Sequence, residues 1–230
     1  MLWCDRATFQ QGDYALSADL RIEAGQVTAV LGPSGAGKST LLGGIAGFVS
    51  QPAGRLVWKG ADISTLSPDR RPVSMLFQDN NLFPHLTVLQ NVALALSPRF
   101  RPTATVRDQV DEMLGRVGLV GLADRKPAAL SGGQQSRAAL ARALLQDRAI
   151  MLMDEPFSAL GPGLKAEMLD LSVSLAKKAS RTVIMVTHDP ADAARVADAI
   201  VGVADGVAWP PLPTTYFLGD PPDAFKDYLG

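Results

Sequence analysis

The chain has 230 residues, 47% of them apolar, and a chain of this length can bury roughly 70–75% of its unfolded surface; that excludes a disordered protein. Its 22 Lys and Arg stand against 23 Asp and Glu, a net charge of −1, so the bulk attraction of a nucleic-acid binder or a polybasic membrane-surface protein is missing, and no nucleic-acid partner is expected. Cys4 is the single cysteine, which excludes an internal disulfide, a zinc cluster and a CxxC redox pair and fits a reducing compartment.

No apolar run approaches the ~18 residues of a membrane-spanning helix. The opening MLWCDRATF also lacks the basic-then-apolar build of a secretory signal. The expectation is a cytosolic chain, or one held at a membrane through another protein.

In chain order, Leu2–Phe9 and Ser17–Glu23 have the residue make-up of half-buried strands, and the unbroken apolar run Val27–Leu31 that of a strand covered on both faces. Gly32-Pro-Ser-Gly-Ala-Gly-Lys-Ser-Thr40 follows at once, and then LLGGIAGF, whose spacing suits a helix starting near Lys38. Arg55–Lys59 and Val73–Phe77 are further strand candidates. From residue 86 to about 146 the pattern turns helical, with Val88–Leu96, Val106–Val117 and a third helix from Gly132. Strands return at Ala149–Asp154, Thr182–Thr187 and Ala199–Ala204, separated by helices at Gly163–Lys178 and Pro190–Val196. This alternation predicts an α/β fold with a mainly parallel sheet, interrupted by an inserted helical lobe. The proline-rich tail after Trp209 is expected to be irregular until a short helix at Ala224–Leu229.

Gly32, Gly37, Lys38 and Ser39 satisfy the phosphate-loop spacing GxxxxGK[ST], between a buried strand and a helix. Backbone N–H groups of Pro33-Ser34-Gly35-Ala36-Gly37 and the helix N-terminus beyond can face an anion there, proline excepted because it has no N–H. Lys38 would reach the β- and γ-phosphates, and Ser39 would bind Mg²⁺. The apolar strand 149–154 ends in Asp154 and Glu155; Asp154 can hold the Mg²⁺ shell, and Glu155 can polarise an attacking water. Leu130-Ser131-Gly132-Gly133-Gln134 opens the third helix, with Ser131 a plausible N-cap and the two glycines exposing backbone donors at a second anion site.

The phosphate loop, Gln78 after VSMLF, LSGGQ at 130–134, MDE at 153–155, SAL at 158–160 and His188 in VTHD resemble, in order and spacing, the ATP-binding subunits of ABC transporters over nearly the whole chain. The resemblance implies a P-loop ATPase core over 1–85 and 149–230 with a mainly parallel sheet, an antiparallel β subdomain, and a helical subdomain over 86–148 bearing the signature motif. It implies that two copies clasp ATP head to tail, the phosphate loop of one chain (Gly32 to Thr40) facing Ser131, Gly132, Gly133 and Gln134 of the other. Gln78 would sense Mg²⁺ and the water, joining Ser39 and Asp154 around the metal, and His188 would hold the γ-phosphate and orient Glu155.

The segment Arg70–Asn91 resembles the importer branch, in particular the ATPases of bacterial thiamine importers; relatives serving ferric iron, polyamines, phosphonates, sulfate or molybdate share much of it, and a non-transport soluble ABC ATPase is the alternative from another class. The implied partners are transmembrane permease subunits, met through Asn80–Leu86 with His85 in that loop, and indirectly a periplasmic solute-binding protein, at the cytoplasmic face of the inner membrane. Three positions depart from the family pattern. Gly161 stands where aspartate usually follows SAL, Gln135-Ser136-Arg137 replaces the usual Arg-Gln-Arg, and the aromatic that stacks on adenine, expected near Gln11, would have to be Phe9 or Tyr14.

Overall fold

The structure, a computed structural model, describes residues 1–98 and 101–229. Strand β1 (Leu2–Gln11) and strand β2 (Tyr14–Ile22) form an antiparallel hairpin that turns tightly through Gly12-Asp13. In β2 the alternation is regular: Leu16, Ala18, Leu20 and Ile22 point inward, and Ser17, Asp19 and Arg21 face water. Strand β4 (Ser50–Trp58) pairs with the other edge of β1, and the two-residue strand β5 (Ala61–Asp62) closes that side.

The strands at the centre of the sheet have no such alternation. Strands β3 (Val27–Leu31), β7 (Ile150–Asp154) and β8 (Thr182–Val186) are buried almost throughout, as a parallel sheet covered on both faces requires. With β6 (Val73–Leu76) and β9 (Ala199–Ala204) they run parallel in the order β9-β3-β8-β7-β6. A short strand β10 (Val207–Ala208) joins the two regions by pairing parallel with β2 and antiparallel with β9, giving one sheet of 11 strands.

Two faces of the parallel strands carry two cores. Ile150, Leu152, Ile184 and Val186 meet Leu41, Leu42 and Ile45 of helix α1 (Lys38–Ala46), which lies between the parallel strands and the apolar face of β1 and β2. Full burial of each such side chain contributes about 1.5–3 kcal/mol relative to exposure, so α1 is fixed from two sides. Met151, Met153, Val183 and Met185 point the other way, into a cluster with α2 (Val88–Ala93), α3 (Ala104–Arg116), α4 (Gly132–Leu145) and α5 (Pro162–Lys178). The helices between β6 and β7 therefore share one apolar core with the sheet. Their starts are legible locally: Thr87, Thr103 and Ser131 each accept a backbone N–H at the N-terminus they cap.

The tail departs from expectation. Leu212–Pro213 forms a strand, β11, against β9, and helix α7 (Thr214–Gly219) follows; α6 (Pro190–Val196) precedes β9 and α8 (Asp223–Leu229) ends the chain. Proline is tolerated in β11 because that strand lies off the main path of the sheet, pairing with β9 alone. The Thr214 hydroxyl then donates to the Ala197 carbonyl at 2.8 Å. Phe217 and Phe225 bury against Ala29, Leu31 and Ile200, so the tail closes a third core and does more than cross the surface. Strand β4 also starts five residues before the expected Arg55, because β1 pairs with it along most of its length. Among the described residues, no helix is long and apolar enough to cross a membrane.

Candidate functional site

The C-terminal ends of four neighbouring parallel strands carry the predicted groups. The phosphate loop leaves β3, His188 lies two residues past β8, Asp154 ends β7 with Glu155 next, and Gln78 lies two residues past β6. The register aligns them: Leu76 pairs with Met153, and Asp154 with Val186. This edge is where open α/β sheets take their ligands.

Gly32 must be glycine, since a Cβ there would collide with the Val203 carbonyl on β9. Gly37 sits at φ 99°, a left-handed conformation that lets the chain turn directly into α1. No side chain caps that helix, so its first amides are left for an anion. Lys38 folds back over the loop, donating from Nζ to the Gly32 and Pro33 carbonyls at 2.8 Å each. Burial lowers its pKa, and the Glu155 and Asp154 carboxylates oppose that shift. Ser34, Gly35, Gly37, Lys38, Ser39 and Thr40 line a cavity of about 430 Å³ together with Gln11, Tyr14 and Glu155.

The Ser39 hydroxyl donates to Asp154 Oδ1 at 3.2 Å. Burial pushes the Asp154 carboxyl above its usual value; the Ser39 hydrogen bond lowers it, Glu155 raises it and Lys38 lowers it. A hydroxyl and a carboxyl that burial makes costly to ionise, two hard oxygen donors side by side, form a place where a cation would be favoured.

Glu155 holds φ at 42°, a left-handed conformation that costs on the order of 1 kcal/mol for a non-glycine residue. Its N–H donates to the Val186 carbonyl at 3.1 Å, which ties it to β8. Its Oε2 lies 3.0 Å from His188 Nδ1. The His188 loop is secured by its neighbours: the Asp189 N–H donates to Thr187 Oγ1 at 3.1 Å, Thr187 donates to buried Asp192 at 2.6 Å, and Lys165 on α5 bridges Asp189 and Asp192 at 3.2 and 2.7 Å. Lys165 was not singled out from sequence; a lysine four residues into a helix carries no signal until its partners are known.

Gln78 is exposed at the end of β6. Beyond it the loop is tied to α4, where Arg142 donates to the Asn80 and Asn81 carbonyls at 2.8 and 2.7 Å. The signature segment is presented outward: Ser131 and Gly132 are exposed, and Ser131 and Gln134 form a reciprocal capping box at 3.3 and 3.0 Å. Gly133 is buried, and a Cβ there would press on Leu164. None of Ser131 to Gln134 lines the phosphate-loop cavity of the same chain.

The two adenine candidates separate. Phe9 is fully buried, its ring packed where a Cβ on Gly44 would have to go. Tyr14 lines the cavity and donates its hydroxyl to the Ala36 carbonyl at 2.6 Å.

A family model described as ABC transporter matches residues 16–158. The chain is 55% identical over its full length, and that of the relative, to the thiamine import ATP-binding protein ThiQ of Cereibacter sphaeroides. It is 50% identical over 191 residues, 83% of this chain and 82% of the relative, to the ThiQ protein of Escherichia coli K12. Among solved structures, the dimeric ATP-binding cassette MJ0796 in a post-hydrolysis state with ADP and Pi matches at a TM-score of 0.78 and 30% identity, covering 93% of this chain and 99% of that one. The ADP conformation of the cassette MJ1267 matches at a TM-score of 0.88 and 24% identity, covering 100% and 98%; at that identity the likeness speaks for the fold alone. With its phosphate loop, paired carboxylates and outward signature segment on this sheet, the chain belongs to the ABC transporter family of ATP-binding proteins.

Proposed function

We propose that this chain is the ATP-hydrolysing subunit of a bacterial ABC importer for thiamine, working as a pair of identical copies that enclose ATP between them. The observation that carries the chemistry is the convergence on one sheet edge of Lys38, the Ser39–Asp154 pair and the Glu155–His188 pair. The solute reading is supported by relatives named for thiamine import that match the whole chain at 55% and 53% identity.

The loop Gly32 to Thr40 receives the phosphates. Lys38 Nζ exchanges the Gly32 and Pro33 carbonyls for phosphate oxygens as the nucleotide enters, and Tyr14, which lines the same cavity, meets the base. Ser39 and Asp154, with Gln78 at the neighbouring strand end, are the residues that would hold Mg²⁺. The ion supplies charge neutralisation of the β- and γ-phosphates when bound. With His188 Nδ1 on Glu155 Oε2, the other carboxylate oxygen takes the hydrogen bond, and then the proton, of a water in line with the γ-phosphate. None of Ser131, Gly132 and Gly133 lines the phosphate-loop cavity of its own chain; in this reading they serve the nucleotide of a second copy. That arrangement is also supported by the dimeric MJ0796 cassettes.

Residues 86–148 act in this reading as the helical lobe of one ATP-binding domain, and Asn80–Leu86 as the contact to permease subunits. Phe83 there is 48% exposed and borders a cavity of about 450 Å³ with Phe77, Leu94 and Arg142. The chain would then sit at the cytoplasmic face of the inner membrane and answer to a periplasmic solute-binding protein through the permease. Loss of a transition-state contact typically lowers the rate about 10²–10³-fold. Glu155→Gln should therefore abolish phosphate release and accumulate an ATP-bound dimer by light scattering. ATPase of the reconstituted complex should rise with thiamine and its binding protein, and not with iron, polyamine or oxyanion loads. A monomer at saturating MgATP would overturn the shared-site reading, and stimulation by another solute would overturn thiamine.

A further inference from the structure

The C-terminal helix α8 touches the loops of the site described above. Phe225 anchors it: the ring is fully buried under Gly202 of β9, packs at a tilt against Phe217 at 5.2 Å between centroids and meets Trp209 edge-on at 5.9 Å. From this fixed helix the Tyr228 hydroxyl donates to the His188 carbonyl oxygen at 3.0 Å, across 40 residues of chain. Burial raises the pKa of this phenol, and the Gly32 backbone opposes that shift. Gly32 is also the residue whose carbonyl accepts Lys38 Nζ.

The His188 ring needs such help. Its side chain is 60% exposed, and its contact to Glu155 is a single hydrogen bond. With so little packing on the ring, its direction follows from the backbone that carries it. The Thr187 side chain holds the Asp189 amide that belongs to the same peptide unit as the His188 carbonyl, and Tyr228 holds the oxygen of that unit. Both ends of one peptide plane are thereby fixed.

We propose that Tyr228 is a positioning residue for ATP hydrolysis, acting through the His188 peptide, so that α8 belongs to the working site. This rests on the reading of Glu155 and His188 as the groups that act on water and γ-phosphate. Tyr228→Phe removes the hydroxyl and keeps the ring that packs the helix. One hydrogen bond is typically worth enough for a threefold to tenfold effect. In the full chain with MgATP, kcat should fall about threefold to tenfold, with KM for ATP unchanged. Hydrogen exchange should quicken in the segment Thr187–Asp192 while α8 keeps its protection. Unchanged kcat, or loosening confined to α8 without any change at 187–192, would overturn the proposal. Glu155→Gln serves as the reference: if the unmodified chain hydrolyses no faster than that variant, the reading of the site fails and takes this proposal with it. If the unmodified chain is faster and Tyr228→Phe matches it, Tyr228 alone is wrongly assigned.

Discussion

Ser39 and Asp154 lie 115 residues apart in the chain and meet at 3.2 Å, the hydroxyl of the first turn of α1 donating to the carboxylate that ends β7. Strands β3 and β7 are not neighbours, since β8 lies between them. The contact exists because α1 crosses the sheet face and its N-terminus returns to the edge where β7 ends. It sets two oxygens where a cation can be taken and leaves a carboxylate in a setting that resists ionisation.

That setting has a pH signature. A carboxyl whose folded pKa lies above the ordinary 3.8 binds more protons folded than unfolded in the window just above 3.8, so stability falls as pH rises through it. Asp154→Asn should therefore raise the melting temperature of the nucleotide-free, metal-free protein at neutral pH, and the gain should vanish as pH drops to the ordinary carboxylate value. The same substitution should lower the MgATPase rate by about 10²-fold. Thermal melts from pH 3 to 7 with a phosphate-release assay check both, and a loss of stability at pH 7 would contradict the account.

Gly161 is the N-cap of the 17-residue helix α5, with φ −62° and ψ 156°, no side-chain cap, and open space where a Cβ would go. Aspartate fits this backbone without strain and can cap the helix, a gain of only a few tenths of a kcal/mol over glycine. Gly161→Asp should leave ATP affinity unchanged and alter the cooperativity or rate of hydrolysis, because it restores a polar group on the face expected to meet the second copy. ATP titrations of the hydrolysis rate decide this; identical rate and cooperativity would remove any role for the position in coupling the two sites.

Arg71 is a stability test away from the chemistry. It is buried, and its guanidinium donates to the Gly44, Ile45, Ser64 and Leu66 carbonyls at 2.6 to 3.0 Å, which closes the C-terminal end of α1. Arg71→Met keeps most of the volume and leaves those acceptors unpaired, at about 1–3 kcal/mol for each one that water cannot reach. A loss of about 3 kcal/mol would lower the melting temperature by about 6–12 °C in a chain of this size. A shift under about 2 °C would show that water replaces the guanidinium without penalty.

Groups contiguous in the chain were legible from it. The phosphate loop between an apolar run and a helix, the strand ending in Asp154-Glu155, and Ser131 opening α4 are local patterns, and each lies on the expected element. The alternation of strands and helices also predicted a mainly parallel sheet, which the order β9-β3-β8-β7-β6 bears out. The tail is regular where its prolines predict irregularity, because proline counts against a strand only where its missing N–H is needed, and β11 pairs on one side alone.

Composition and motif order thus determined what chemistry this chain is equipped for, since phosphate loops, caps and buried strands are written in neighbouring residues. Tertiary structure alone decided which of those groups meet. Phe9 and Tyr14 are both aromatic and five positions apart, yet packing sends one under Gly44 and the other to the cavity. Lys165, Arg142 and Tyr228 have no local signature, because their roles lie in carbonyls and carboxylates 24 to 62 positions away. Such partners are specified by strand register and helix packing, to which the whole core contributes, and no short stretch of sequence encodes them.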